Sequence, residues 1–320
     1  MKSKTKNRAV VKTTKRKMNG SLSKVDLNRL NKLAQIDAFQ IAEPRRERNF
    51  PVVMKRIVAP GIIQVTLPDS RWYFKEINEK EFSAYPSATW VLDAALPKGK
   101  GFNRWLSSMT EDESKKILHD TGERGSRVHA GVEALLKGEK LKFGEIYQFI
   151  NNTDFTAEEW QYILSFGKFF RRFQPKVMSI EQTVINEEYG FAGTSDLIAI
   201  FDEGLLQSFN TRTEKNFEPN GVQVTAVVDW KTSSAIHDSH RLQVHAYANT
   251  LKVDYAIIVR LNAKNKNGFE VFISKVGDPD QPKYFETFLN VLGVFNFLHG
   301  SETPDLSEME EMISLQEVQP

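Results

Sequence analysis

The spacing of apolar positions changes period along the chain, and each change marks a different layer of structure. From Phe50 to Ile77 apolar and polar residues alternate, with turn signals at Pro60-Gly61 and Pro68-Asp69-Ser70. This predicts strands PVVMKRIV, IIQVTL and RWYFKEI in a small sheet. Ser87, after Pro86, is placed to cap a short helix bearing Trp90, Val91 and Leu92. From Thr110 the period becomes helical. TEDESKKILHD opens with a capping-type threonine and acids in its first turn. A second helix, about Gly125 to Leu136, carries Val128, Val132, Leu135 and Leu136 on one stripe with His129 at its margin. A third, AEEWQYILSFGKFFRRF, is apolar through Trp160, Ile163, Leu164, Phe169 and Phe173.

The period then falls to two. VMSIEQTVI, YGFAGTSDLIAIF and VQVTAVVDWKT read as three strands, the last two joined by the polar connection Asn210–Gly221 in a long-looped antiparallel hairpin. A helix at Ser239–Leu251, strands VDYAIIVRLNA and GFEVFISKV, and a final helix from about Lys283 to Leu298 complete the pattern. Upstream, Leu27, Leu30 and Leu33 have helical spacing within Val25–Ile41. Strands between helical layers predict an α/β fold, a mixed central β-sheet flanked by helices. The expected organisation is a disordered basic tail over 1–25, an N-terminal extension with a small β element and helices over 26–109, a core over 110–300, and an acidic tail over 301–320. Trp90 and Trp105 read as packing rather than as stacking platforms for bases.

Composition narrows the chemistry. The chain has 320 residues, 40% of them hydrophobic, and no cysteine. Disulfides, cysteine nucleophiles, thiolate zinc sites and cysteine-ligated iron–sulfur clusters are excluded. No apolar run approaches the roughly 20 residues of a membrane span, and the polar start lacks the apolar core of a secretory signal. The net charge of +2 conceals asymmetry. Residues 1–17 hold eight Lys or Arg and no acid, whereas 301–320 hold six acids and no Lys or Arg. The middle keeps 35 of each from totals of 43 and 41. A basic tail of this kind either holds a polyanion loosely by counterion release or serves only to solubilise.

Candidate chemistry gathers around the central strands. Val227 and Val228 end a buried strand; Asp229 and Lys231 follow, and strand alternation puts both on one face. Gln243 and Tyr247 lie four apart on the next helix, again on one face. His129, Glu181 and Asp196 are the other chemically capable groups near these strands. Carboxylates at adjacent strand ends suit a hard divalent cation, and histidine adds a nitrogen that Mg²⁺ tolerates and Mn²⁺ prefers. A lysine beside such ligands can orient water or neutralise charge at phosphorus. His237, His240 and His245 lack the spacing of a zinc pair with a catalytic acid between.

The motifs RG…VH (Arg124, Gly125, Val128, His129), GTSD (Gly193–Asp196), DWKTS (Asp229–Ser233) and QVHAY (Gln243–Tyr247) occur in that order. Together they resemble the RecB-type branch of the PD-(D/E)XK nuclease superfamily. The preceding AYPSATWVL…GFNRWLS is similar to elements of phage exonucleases and mitochondrial genome maintenance exonucleases of that branch. The resemblance covers roughly residues 70–260. It implies a restriction-endonuclease-like core and a Mg²⁺-dependent deoxyribonuclease, with Mn²⁺ as substitute, acting on single-stranded DNA or free ends and leaving 5′-phosphates. By the same resemblance His129, Asp196, Asp229 and the Trp230 carbonyl are metal ligands, Lys231 is the catalytic lysine, and Glu181 is a further ligand or water-positioning acid. Gln243 and Tyr247 then pack beside the site and contact DNA or the groups behind the ligands, with a plain core role as the alternative for Tyr247. Ser195, Thr232 and Ser233 bind phosphate oxygens or cap turns, and Arg124 and Arg127 grip phosphates.

Two departures stand out. Branch members with an iron–sulfur cluster use four cysteines, which this chain lacks, and 33 residues separate Asp196 from Asp229. The polar loop around 202–221 absorbs that length and is expected to touch substrate. The expected partners are DNA and replication or recombination proteins, with no membrane. The expected location is the cytoplasm, a host's if the chain is phage-encoded, with mitochondrial import as the weaker alternative. Two other readings stay open: a catalytically silent DNA-binding or recombination subunit, and a structure-specific endonuclease on the same core.

Overall fold

A five-stranded sheet, its strands hydrogen-bonded in chain order, forms the centre of the molecule, in a computed structural model that describes residues 54–67, 70–78, 81–210, 218–300, 302 and 304. The expected helix at Val25–Ile41, the basic and acidic tails and the Pro68-Asp69 turn lie outside the described residues or nearly so. The central strands are β5 (Lys176–Asn186), β6 (Phe191–Asp202), β7 (Gln223–Lys231), β8 (Tyr255–Leu261) and β9 (Phe269–Lys275). All neighbours are antiparallel except β7 and β8, so the sheet is mixed. A parallel pair needs a crossover, which helix α6 (Asp238–Leu251) supplies. Because helices cover both faces, β8 is a nearly unbroken apolar run, YAIIVRL.

One face buries Val128 and Val132 of α3 (Glu111–Leu136) and Phe166, Phe169 and Phe173 of α4 (Ala157–Phe173) against Leu197, Val228 and Trp230. The other buries α1 (Ala88–Ala95), α6 and α7 (Tyr284–His299) against Val184, Phe191, Val227, Ala256 and Ile258. Thr110 and Thr156 each begin a helix with a complete capping box, to Glu113 and Glu159. Ser87 accepts from the Trp90 N–H at 3.1 Å, capping α1 as expected. Helix α2 (Lys100–Leu106) buries no residue. No helix among the described residues is long and apolar enough to cross a membrane.

The N-terminal extension contains a four-stranded antiparallel sheet, β1 (Met54–Ala59), β2 (Ile62–Thr66), β3 (Arg71–Asn78) and β4 (Glu81–Pro86). It docks on the central sheet: Tyr73 and Tyr85 pack with Ala192, flanked by Val58, Ile62 and Ile185. Helix α1, also within the expected extension, is buried in the same core as α6 and α7.

Two expectations are corrected, and one strand is added. The two helices expected between Thr110 and Leu136 are one 26-residue helix, because Gly122 and Gly125 weaken but do not break a segment without proline. EFSAYP, to which the sequence pattern assigns no element, is strand β4, held by pairing along β3. Part of the expected 202–221 loop is helix α5 (Glu203–Asn210), which buries Leu206. That loop closes the β6–β7 hairpin at Asp202↔Gln223, six residues along β6 from Asp196. At about 3.4 Å per residue the separation is about 20 Å, so its described part does not reach the groups around Asp196.

Gly193 shows how closely α6 approaches β6. A methyl built there meets the Tyr247 ring and hydroxyl. Gly193→Ala is expected to destabilise the protein by about 1–3 kcal/mol, as other overpacked core positions do, read as a lower midpoint in urea with an unchanged m-value.

Candidate metal centre

Leu197↔Val228 is the last pair in the β6–β7 ladder at this end of the sheet. Beyond it the Asp196 carboxylate takes over: its Oδ2 accepts the Trp230 N–H at 2.7 Å. Asp196 is 8% exposed, so this is a charge-assisted bond in a mostly dry place. His129, on α3, brings Nδ1 within 3.4 Å of Asp196 Oδ1. On β5, Ile180↔Leu197 and Gln182↔Ser195 bracket Glu181, which therefore stands across from Asp196. Glu181 has φ 50°, in the left-handed region a strand residue seldom visits. Such strain collects at functional sites, and here it sits at an acid turned toward its neighbours. His129, Glu181 and Asp196 offer ligand atoms all within 4.8 Å of one another.

Asp229 and Lys231 share a face of β7, as alternation requires, with Trp230 pointing the other way. The Trp230 ring is buried edge-on against Phe166 and Phe169, at 5.1 and 5.7 Å between centroids. This anchor fixes the register that aims the two charges. Lys231 Nζ lies 2.7 Å from Asp229 Oδ2 and donates to Gln243 Oε1 at 3.2 Å. The Gln243 amide in turn donates to the Tyr247 hydroxyl at 3.2 Å and to Thr89 Oγ1 at 3.3 Å. Gln243 and Tyr247 thus position the lysine. Tyr247 is 1% exposed, which removes it from direct contact with DNA.

The charges set one another. Burial pulls the His129 imidazole toward its neutral form, but Asp196 outweighs it and holds the pKa at about 9. Burial pushes Glu181 up to about 7, and the Asp196 charge adds to the shift. Asp196 is lowered despite burial, by His129 first and then by Lys231 and the Trp230 N–H. Burial raises Asp229 to about 6 against the pull of Lys231. Lys231 is held above its ordinary value in spite of burial, by Asp229 and Asp196.

Nitrogen and carboxylate donors without sulfur fit Mg²⁺ or Mn²⁺. The three-way cluster differs from the expected ligand set: Glu181 joins His129 and Asp196, whereas Asp229 is engaged with Lys231. Other candidate residues have partners within the fold. Ser195 is fully buried and bonds Gln182 O at 3.3 Å, out of reach of a phosphate. Ser233 bonds Ala235 O at 2.8 Å, a turn contact, and the Thr232 carbonyl accepts from the Tyr162 hydroxyl at 3.3 Å. Arg127 spends its whole fork on Glu159, Ile150 O, Thr153 Oγ1 and Asp154 O, leaving no donor for DNA. Arg124 pairs with Glu158 at 3.1 Å. His245 is buried against Tyr284, apart from the adjacent His237 and His240 rings. Thr89 belongs to the AYPSATWVL element that carries part of the resemblance, but its bond to Gln243 was not expected; Glu133, one turn after His129, whose charge helps to raise Glu181, was not singled out at all. Glu133 carries no motif of its own.

No family model matches this chain, and no curated protein matches it. Among solved structures, one titled "Crystal structure of SSO0001" aligns with 57% of this chain and 75% of its own, at 13% identity and a TM-score of 0.25. A likeness of that size carries no argument about the fold or the site.

Two outcomes follow from these contacts. At neutral pH His129 holds a proton that a cation must displace, and Glu181 is partly protonated. Mn²⁺ binding is therefore expected to release about one proton at pH 7.5. Affinity should rise with pH through 7 toward 9 and level off above, as read by calorimetry in buffers of different ionisation enthalpy. Arg127→Ala leaves Glu159, only 4% exposed, without its partner and is expected to cost about 3–5 kcal/mol. Mn²⁺ affinity of the folded variant should be unchanged.

Proposed function

We propose that this protein is a Mg²⁺-dependent deoxyribonuclease with a PD-(D/E)XK-type core, acting on single-stranded DNA or free ends as an exonuclease. The observation that carries the reading is the convergence of His129, Glu181 and Asp196 within 4.8 Å beside an Asp229–Lys231 pair on the next strand. Binding modules need basic surface, but they have no need of a buried lysine ammonium aimed by an amide beside clustered carboxylates. A Mg²⁺ ion held by these residues would polarise the scissile phosphate and acidify water near it. Lys231, oriented by Asp229 and Gln243, would hold the attacking water and offset charge growing on the phosphoryl oxygens. Asp196 orients His129 and fixes the Trp230 main chain, so the donor set is largely pre-formed. Preference for single strands and free ends rests on the resemblance of the ordered motifs, as does any role with replication or recombination proteins.

The test is degradation of end-labelled linear single-stranded DNA with Mg²⁺ or with EDTA. Wild type should shorten the strand only with the metal, leave circular single-stranded DNA intact, and yield 5′-phosphates. Lys231→Ala and Asp229→Ala should each lower the rate about 100-fold or more, the scale of lost acid–base assistance. Cutting of circles at the same rate points to an endonuclease. Binding with no cutting under Mg²⁺ or Mn²⁺ overturns the assignment in favour of a silent subunit.

A further inference from the structure

We propose that Arg56 binds a backbone phosphate of the strand held at the His129–Glu181–Asp196 centre, which makes the small N-terminal sheet one wall of the substrate groove. The inference rests on the nuclease reading and adds a residue and a surface that the ordered motifs do not contain.

The register of the small sheet supplies the placement. Arg56 pairs with Gln64, and Gln64 with Tyr73, so the three side chains form one cross-strand row. Val58 and Ile62 share that face and pack with Tyr73, Tyr85, Ala192 and Ile185. The face is therefore the one turned to the β5–β6 hairpin. Gln64 donates to the Tyr73 hydroxyl at 2.7 Å, and Tyr73 meets Thr194 Oγ1 at 3.0 Å. Thr194 pairs with Thr183, and two residues further along each strand stand Asp196 and Glu181. Moving from Val58 to Arg56 on β1 thus follows the path from Ile185 toward Glu181 on β5.

Charge supplies the function. A centre built from carboxylates repels a polyanion, so cations must flank it. Most of those around the centre are engaged, His129 with Asp196, Lys231 with Asp229 and Arg127 with Glu159, while Arg124 meets Glu158 through one nitrogen and keeps a buried Nε without a partner. Arg56 is exposed and has no ion pair among the described residues. A planar fork of donors on a rigid strand, with its neighbours in the row already hydrogen-bonded, suits a phosphate diester.

The experiment compares full-length wild type, Arg56→Ala and Arg56→Lys. It measures binding of a fluorescent oligothymidine in Ca²⁺ over a salt series, Mn²⁺ affinity, thermal midpoint and steady-state cleavage. Arg56→Ala should weaken DNA binding about tenfold and raise KM more than it lowers kcat. It should also flatten the slope of log affinity against log salt by about 0.7, the value of one single-strand phosphate contact. Arg56→Lys should restore the slope but only part of the affinity, and Mn²⁺ affinity and thermal midpoint should not move. An unchanged salt slope and KM in an active Arg56→Ala protein sinks the inference alone. So does altered Mn²⁺ affinity with unaltered DNA binding, which would make Arg56 a partner of Glu181 only. Wild type that neither binds nor cuts DNA sinks the nuclease reading and this inference together.

Discussion

The bond from the Trp230 N–H to Asp196 is the constraint on which the rest of the centre depends. Two adjacent strands of a sheet can part only if the main-chain groups they release find other partners. Asp196 meets that need with a carboxylate in place of the next ladder pair, at 2.7 Å. Its second oxygen is then free to face His129 across the gap. The opening in the sheet and the acid that fills it have one cause. This also explains how a histidine from the α3 layer and charges facing the α6 layer come to one place. Neither layer alone could deliver both, since strand alternation sends them to opposite faces.

Burying so many charges is costly, and the arrangement keeps opposite charges adjacent throughout. Asp196 sits between His129 and the Trp230 amide, and Lys231 between Asp229 and Gln243. Removing any member leaves a neighbour desolvated without compensation, which costs more than the pair itself is worth. Glu181 is the exception. Among the described residues it has no basic partner in direct contact, its pKa lies near 7, and its backbone is held at φ 50°. An acid placed this way gains most from a cation arriving beside it.

Much of this was legible because it follows from period. The DWK alternation, the four-residue spacing of Gln243 and Tyr247, the caps at Thr110 and Ser87 and both helical layers are local rules applied to local sequence. The misses are non-local. Strand β4 has weak propensity and exists because β3 offers it a ladder. Ser195 looks like a phosphate ligand in a GTSD motif, yet it is sealed under Gln182. Arg127, one position before Val128 of the apolar stripe, looks free until Glu159 and three loop groups arrive from the next segments. The left-handed backbone at Glu181 has no glycine or asparagine to announce it. Each of these depends on what another segment brings, which no window of a single sequence contains.

That dependence bears on the small sheet as well. Its first three strands read as an appendage with its own hairpins, and sequence alone gives no reason to attach it to the His129–Glu181–Asp196 centre. Its packing argues otherwise. Tyr73 and Tyr85 share a buried cluster with Ala192, the Tyr73 hydroxyl reaches Thr194, and Ser87, which ends the sheet and caps α1, forms a bridge with Ala192. Helix α1 then carries Thr89 to the Gln243 amide that aims Lys231. The sheet therefore touches β6 two residues before Asp196, and the helix it leads into reaches the support of Lys231. A segment joined to the centre at both of its acting strands is part of the site's frame. Substitutions in it should be judged by what they do at Asp196 and Lys231 as much as by what they do to the sheet.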